Sequence, residues 1–339
     1  MEGINESSVT AWFEENIDGA TGPLTFDLFA GGRSNLTYKV TDANGTSYVL
    51  RRPPLGHVLP TAHDMTREFR LISCLGPTDV PVPAALGLCT DEAVNERPFY
   101  VMGFVDGLIV REAPSAEKLT VEARRRTGES LVDVMARIHA VDPDAVGLGD
   151  LGRKEGYIAR QLKRWYSQFE QSKMREVPLV DEMHDFLSAR IPPQGQAAIV
   201  HGDYRLDNCM VNANGEVIAV LDWETCTLGD PLADVGLLMV YWNDRDDAFS
   251  AVGAGATTLD GFPRRDELVD LYAKASGRDV SDLPFYVAFG YWKLACILDG
   301  VYTRYAKGAM GSDGAAWEAF GESVVRLAEA SQTAAKQLA

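Results

Sequence analysis

The chain has 339 residues, 46% hydrophobic and 24% charged, a balance that excludes wholesale disorder, collagen-like repeats and coiled-coil composition. Its 32 Lys and Arg face 49 Asp and Glu, a formal net charge of -17 that repels polyphosphate backbones and argues against a nucleic-acid partner. Five scattered cysteines (Cys74, Cys89, Cys209, Cys226, Cys296) form no CxxC pair, and no apolar run reaches the roughly 18 to 20 residues of a membrane span. A cytoplasmic protein without a disulfide framework, a zinc site or a membrane partner is expected.

In chain order, LTFDLFA (24–30), LTYKVT (36–41) and SYVLRR (47–52) read as strands of an antiparallel meander, with Asn44-Gly45 supplying a hairpin turn. A proline-punctuated loop, RRPPLGHVLP, leads to a helix on which Met65, Phe69, Ile72 and Leu75 recur at helical spacing. Two further apolar runs, PAALGLC and RPFYVMGFV, complete a five-stranded sheet, and Asp106-Gly107 reads as a hinge. From there the pattern turns helical over about 116–141, 153–170, 178–190, 231–242, 264–276, 282–305 and 313–337. One region breaks the helices: QAAIVHGDYRLDNCMVNANGEVIAVLDWET, a buried-strand run, a polar loop and a hairpin closed at Asn214-Gly215. The expected fold class is α+β: a small lobe over 1–105 with a five-stranded antiparallel sheet plus a helix, then a larger, mainly helical lobe over 106–339, an architecture that holds a ligand in a cleft.

Chemistry concentrates in His201-Gly-Asp203-Tyr-Arg-Leu-Asp207-Asn208 and in Leu221-Asp222-Trp223. Asp203 and Asn208 lie five positions apart on one loop, and the returning strand of the hairpin carries Asp222 back beside them. Three oxygen-bearing side chains in one place suit a hard cation such as magnesium. Phosphoryl transfer needs a carboxylate to orient a hydroxyl and accept its proton, plus an Asn and an Asp to hold the metal. Asp and Asn also serve as plain turn residues, and His201 reads as structural. In GDPLAD, Asp230 and Pro231 read as the start of a helix.

His201-x-Asp203-x-x-x-x-Asn208 resembles the HRDxxxxN catalytic loop of protein kinases, with Asp222 in the place of their metal-binding Asp. HGDYRLDN, LDWE and GDPLADVG together resemble the aminoglycoside phosphotransferase and choline kinase-like family. The similarity is greatest to its branch of domains associated with acyl-CoA dehydrogenases, and it extends over nearly the whole chain.

The resemblance implies a small-molecule kinase with a protein kinase-like fold that takes ATP, with GTP as the alternative nucleotide, and Mg2+. Asp203 would be the catalytic base, Asn208 and Asp222 the magnesium ligands, and Asp234 a brace for the catalytic loop. In the small lobe, Gly31, Gly32, Arg33, Ser34 and Asn35 would cover phosphates, although such a loop also suits an ordinary hairpin. Arg51 stands where the family's lysine is expected and would pair with Glu68; it keeps the charge but not the geometry of lysine. Backbone groups from Met102 and Gly103 to Val105 would meet the adenine edge. The acceptor is a small hydroxylated substrate: an aminoglycoside, an amino alcohol, a sugar or a hydroxyacyl-CoA.

For that substrate, Arg160, Lys163 and Arg164 share one helix face and suit either an anionic group or solvent. Tyr204 and Glu224, inside the motif region, complete the candidate substrate set. A nucleotide-binding pseudokinase is the alternative that Arg51 raises. A metal-dependent hydrolase built on His201, Asp203 and Asp222 would need further ligand-spaced histidines, and His57, His63, His139 and His184 supply none. No oligomeric state follows from the sequence.

Overall fold

A computed structural model describes residues 1–29, 35–55, 63–247, 255–308 and 318–338. The chain forms two compact units, Met1–Gly107 with Val217–Thr225, and Leu108–Glu216 with Cys226–Ala339.

The first unit opens with a helix the sequence reading did not anticipate, α1 (Glu6–Asn16), capped by the Asn5 side chain accepting from the Ser8 N–H. Its apolar stripe is only Val9, Trp12 and Phe13 among acidic and polar neighbours, too narrow to stand out as an amphipathic pattern. Packing identifies it: Trp12 meets Phe99 edge-on at 4.9 Å and Phe13 meets Tyr48 at 5.8 Å.

The strands are β1 (Thr25–Leu28), β2 (Leu36–Thr41), β3 (Ser47–Arg52), β4 (Ala85–Cys89) and β5 (Phe99–Gly103). They form one antiparallel sheet in the order β1-β2-β3-β5-β4, so the expected five-stranded sheet is present. Strand alternation divides its side chains between two faces. Tyr38, Val40, Tyr48, Leu50, Phe99 and Val101 join Val9 and Phe13 in a buried cluster. Arg51 and Tyr100, which are register partners, lie on the opposite face.

Helix α2 (Met65–Leu75) packs against β4 and β5, capped by Asp64 accepting from the Arg67 N–H at 3.0 Å. It buries Met65, Glu68, Leu71, Ile72 and Leu75. Glu68 is the one charged member of that stripe, a placement that requires a partner. The short helix α3 (Glu92–Asn95) precedes β5, and Val217–Val220 forms a further strand of this unit.

The second unit is helical. After α4 (Ala113–Ala116) come α5 (Val121–Ala140), α6 (Tyr157–Ser172), α7 (Pro178–Ser188), α8 (Leu232–Tyr241), α9 (Arg265–Ser276), α10 (Leu283–Ala306) and α11 (Glu318–Ala335). The expected helix from about 116 divides because Thr120 caps a new start, its side chain accepting from the Ala123 N–H at 3.1 Å. Helix α10 is buried over most of its length and packs on α6, α8 and α11. Gly236 permits the close approach of α8, since a Cβ there would stand 2.5 Å from the Tyr286 backbone.

Two short strands, Ala198–Val200 and Thr227–Gly229, pair antiparallel inside this unit, with Ile199 opposite Leu228. The first, Ala-Ile-Val, is fully apolar and buried, and it fixes the start of the loop that begins at His201.

Candidate active site

Within the first unit, charged side chains converge on Arg51. Its Nε lies 2.9 Å from Glu68 Oε2 and its terminal nitrogen 2.5 Å from Asp222 Oδ1, with Glu224 Oε2 at 3.7 Å. Tyr100 donates its hydroxyl to Glu68 Oε2 at 3.1 Å. Asn35 Nδ2 donates to Glu224 at 3.1 Å and to Glu68 at 3.4 Å. The expected Arg51–Glu68 pair is therefore present.

Burial is the largest influence on the Glu68 carboxyl and leaves its pKa raised, although Arg51 and the Tyr100 hydroxyl pull it down. Arg51 moves upward: burial opposes its charge, but Glu68 and Asp222 outweigh that. Asp222 has φ +62, a left-handed conformation uncommon for a residue with a Cβ. That backbone turns its carboxylate toward Arg51 and leaves the side chain 29% exposed. Strain of this kind persists where the surroundings impose it, and it clusters at functional positions.

Gly31, Gly32, Arg33 and Ser34 lie outside the described residues. Met102 is buried and sits opposite Val49 and Ala85, and Gly103 donates its N–H to the Ala84 carbonyl at 2.8 Å. Val105 is half-buried just past the end of β5.

In the second unit, the loop after Val200 is held by side chains within it and by others on α8 and α10. Tyr241, at the end of α8, donates its hydroxyl to Asp203 Oδ1 at 3.0 Å. Asn208 Nδ2 donates to Asp203 Oδ2 at 3.0 Å and to the Asp203 carbonyl at 2.9 Å. Both amide hydrogens of Asn208 are thereby committed toward Asp203, leaving its Oδ1 as an acceptor for a cation or a donor. The Tyr241 hydroxyl keeps its proton well above the usual range, first through burial and then through Asp203, so it stays a donor to that carboxylate. Arg205 stacks over the Tyr241 ring at 4.8 Å and pairs with Asp207.

Beneath that loop, Asp234 in α8 accepts the N–H of His201 at 2.7 Å and the N–H of Gly202 at 2.8 Å. It thus braces the loop, in the position the resemblance implied. His139 places Nε2 3.3 Å from Asp234 and Nδ1 2.8 Å from the Tyr272 hydroxyl. A carboxylate only accepts, so Nε2 carries the hydrogen. Burial alone would raise the Asp234 pKa, but His139 and the loop amides outweigh it and hold the carboxyl below its ordinary value. Lys293 of α10 donates to the Gly202 carbonyl at 3.1 Å. The helix starts one residue later than read from GDP, with Pro231 as the cap of Leu232–Tyr241; Asp230 accepts the Leu232 N–H at 3.1 Å and the Tyr286 hydroxyl at 2.6 Å.

The substrate candidates scatter. Tyr204 is fully buried and donates to the Leu131 carbonyl at 2.7 Å, so its hydroxyl is occupied inside the core. Arg160 turns back on its own approach loop, donating to the Arg153 carbonyl at 2.6 Å and to the Glu155 carbonyl. Arg164 stacks over Trp165 at 5.0 Å, and Lys163 lies in an open groove between α6 and α7 with Tyr166 and His184. Glu224 stands beside Arg51 and Asn35, in the first unit. His139 and Lys293 escaped the sequence reading as site residues, because each is distant in sequence from the motif and resembles core.

Asn208 Oδ1 in the second unit and the Asp222 carboxylate in the first are each oxygen donors of the type magnesium takes. Among the described residues there is no group of three or more His, Cys, Asp or Glu that could hold a metal ion. Magnesium typically takes one or two carboxylates and completes its shell with water and substrate phosphates.

The family model described as "Phosphotransferase enzyme family" matches residues 25–268. Mouse acyl-CoA dehydrogenase family member 10 is 36% identical over 297 residues, covering 86% of this chain and 28% of that protein. Chicken acyl-CoA dehydrogenase family member 11 is 32% identical over 328 residues, covering 94% and 41%. The chain thus spans well under half the length of these relatives.

Among solved structures, a Ralstonia eutropha protein provisionally assigned to the aminoglycoside phosphotransferases has a TM-score of 0.82 at 33% identity, covering 98% of both chains. Choline kinase from Cryptosporidium parvum has a TM-score of 0.68 at 12% identity, covering 98% of this chain and 96% of its own, a likeness of fold alone. With this kinase-like fold and a family match across most of its length, the chain belongs to the phosphotransferase enzyme family.

Proposed function

We propose that this chain is a small-molecule kinase that transfers the γ-phosphate of ATP to a hydroxyl group, with Asp203 as the base. The observation that carries the reading is the setting of Asp203: one carboxylate oxygen is held by the Tyr241 hydroxyl and the other by Asn208, on a backbone braced by Asp234. A carboxylate so fixed, with its side chain still 33% exposed, can orient an alcohol and accept its proton. Asn208 through Oδ1 and Asp222 through its carboxylate would hold magnesium, which when bound supplies positive charge to the phosphates. Arg51, aligned by Glu68, would contact phosphate, with Asn35 and the 31–34 loop nearby in sequence. Backbone groups over Met102–Val105 would take the adenine.

The acceptor belongs to the hydroxylated small molecules. A hydroxyacyl-CoA is favoured by the similarity to the acyl-CoA dehydrogenase family members, and an aminoglycoside by the structural neighbours. GTP is the alternative donor, since one fold neighbour is a GDP complex. A second reading, a nucleotide-binding module without turnover, draws on the contact of Arg51 with Asp222, which occupies the proposed metal ligand with an arginine.

Calorimetry with Mg-ATP on the wild type and Asp222→Ala tests the reading without knowledge of the acceptor. Magnesium-dependent binding lost in the variant is expected. Absence of binding by wild type to ATP and GTP alike would remove it.

A further inference from the structure

Lys293 is buried in α10, 8% exposed, and the Gly202 carbonyl is the one hydrogen bond its ammonium makes with the described residues. The ammonium also lies 5.7 Å from the centre of the Trp165 ring. No salt bridge joins it to a carboxylate among the described residues. Burying an ammonium with one neutral acceptor and one aromatic face costs more than those contacts return. Stability alone therefore does not account for a lysine here, where methionine would fill similar space.

The position of its one partner supplies a reason. Gly202 has φ +85 and directly precedes Asp203. The amides leading into Asp203 are each held: the His201 and Gly202 N–H groups by Asp234, and the Asp203 N–H by His201 Nδ1 at 3.3 Å. The Gly202 carbonyl belongs to the same peptide plane as the Asp203 N–H. A glycine with freedom at ψ could rotate that plane, and with it the direction in which the Asp203 side chain leaves the backbone. Lys293 holds the carbonyl end while His201 holds the N–H end.

We propose that Lys293 is a positioning residue for the catalytic loop, locking the Gly202–Asp203 peptide by its hydrogen bond to the Gly202 carbonyl. The assignment rests on the kinase reading for its purpose, but the lock itself is testable apart from it. Burial lowers the Lys293 pKa, with Asp203 and Asp234 pulling it back up.

The test compares wild type, Lys293→Met and Lys293→Arg by hydrogen–deuterium exchange, urea unfolding and magnesium-dependent hydrolysis of ATP by water. Lys293→Met should leave the unfolding midpoint unchanged or higher, yet speed amide exchange across 201–208 by about tenfold. ATP hydrolysis should fall by about 10- to 100-fold with the Michaelis constant for ATP within about twofold, and Lys293→Arg should recover part of it. Unchanged exchange over 201–208 in Lys293→Met overturns the proposal, whatever the turnover. A lowered unfolding midpoint with exchange raised uniformly across the second unit also overturns it, since that marks an ordinary packing residue. If the wild type neither binds nor hydrolyses ATP, the kinase reading fails, and the exchange data still decide whether the peptide is locked.

Discussion

Removing the Asp234 carboxylate should reveal how much of the second unit's stability is invested in the loop that carries Asp203. Asp234 is 1% exposed and satisfies three donors: the N–H of His201, the N–H of Gly202 and Nε2 of His139. Each buried donor left without a partner costs about 1 to 3 kcal/mol. Asp234→Ala strands all three and should cost about 3 to 9 kcal/mol, a large share of the roughly 5 to 15 kcal/mol typical of a domain. Asp234→Asn keeps one oxygen. If that oxygen takes the Oδ2 position, it retains His201 and His139 and loses only the Gly202 N–H, for about 1 to 3 kcal/mol.

Linkage adds a pH signature to this substitution. Because the Asp234 pKa lies below its ordinary value in the folded protein, its contribution is complete above the ordinary carboxylate value and is lost as pH falls through the folded one. Urea unfolding followed by tryptophan fluorescence, from pH 7 down to about 3, measures both effects. The gap between wild type and Asp234→Asn should narrow on acidification. Costs for both variants within about 0.5 kcal/mol of zero at pH 7 would refute the reasoning, since three stranded donors cannot be that inexpensive.

Two further substitutions have signs set by burial. Arg51→Ala removes the cation that offsets burial of Glu68, and breaking such a pair should cost about 3 to 5 kcal/mol at neutral pH. The Glu68 pKa is already raised, so the folded state holds that proton longer than the unfolded state, and stability falls as pH rises from the ordinary glutamate value through the folded one. Without Arg51 the window widens upward: the deficit should be smaller near pH 5 than near pH 8, and a pH-independent deficit in urea unfolding would contradict it. The lowered pKa of Lys293 has the opposite sign. The unfolded state binds that proton more tightly, so this group adds stability as pH rises from its folded value toward the ordinary lysine range. Subtracting the Lys293→Met unfolding profile from that of wild type isolates the contribution, and a flat difference between pH 7 and 10 would contradict the burial argument.

Much of the fold was legible because the sheet residues alternate and the long helices repeat at their own period. The five strands and the helix over Met65–Leu75 lie where that patterning placed them. Helix α1 was not legible, because an isolated Val9, Trp12 and Phe13 among acidic residues gains its stability from Phe99 and Tyr48, which the sequence cannot bring near. Local motifs exposed Asp203, Asn208 and Asp222, where chemistry and spacing coincide. Two of the side chains that hold the loop around Asp203 were hidden for a physical reason: His139 and Lys293 are buried on α5 and α10, and a buried His or Lys stem has the appearance of core until its polar tip is located. Tyr204 illustrates the reverse, a polar residue inside the motif whose hydroxyl is engaged by the Leu131 carbonyl.

The central claim is that Asp203 activates a hydroxyl toward the γ-phosphate, and transfer of label from γ-labelled ATP measures it. Wild type and Asp203→Ala would be incubated with magnesium and a panel of hydroxyacyl-CoA thioesters, amino alcohols, sugars and aminoglycosides. The account predicts a labelled acceptor with wild type, and with Asp203→Ala a loss of at least about 100-fold while Mg-ATP binding persists. Label transferred equally by both proteins, or ATP bound by wild type with no transfer to any member of the panel, would contradict it.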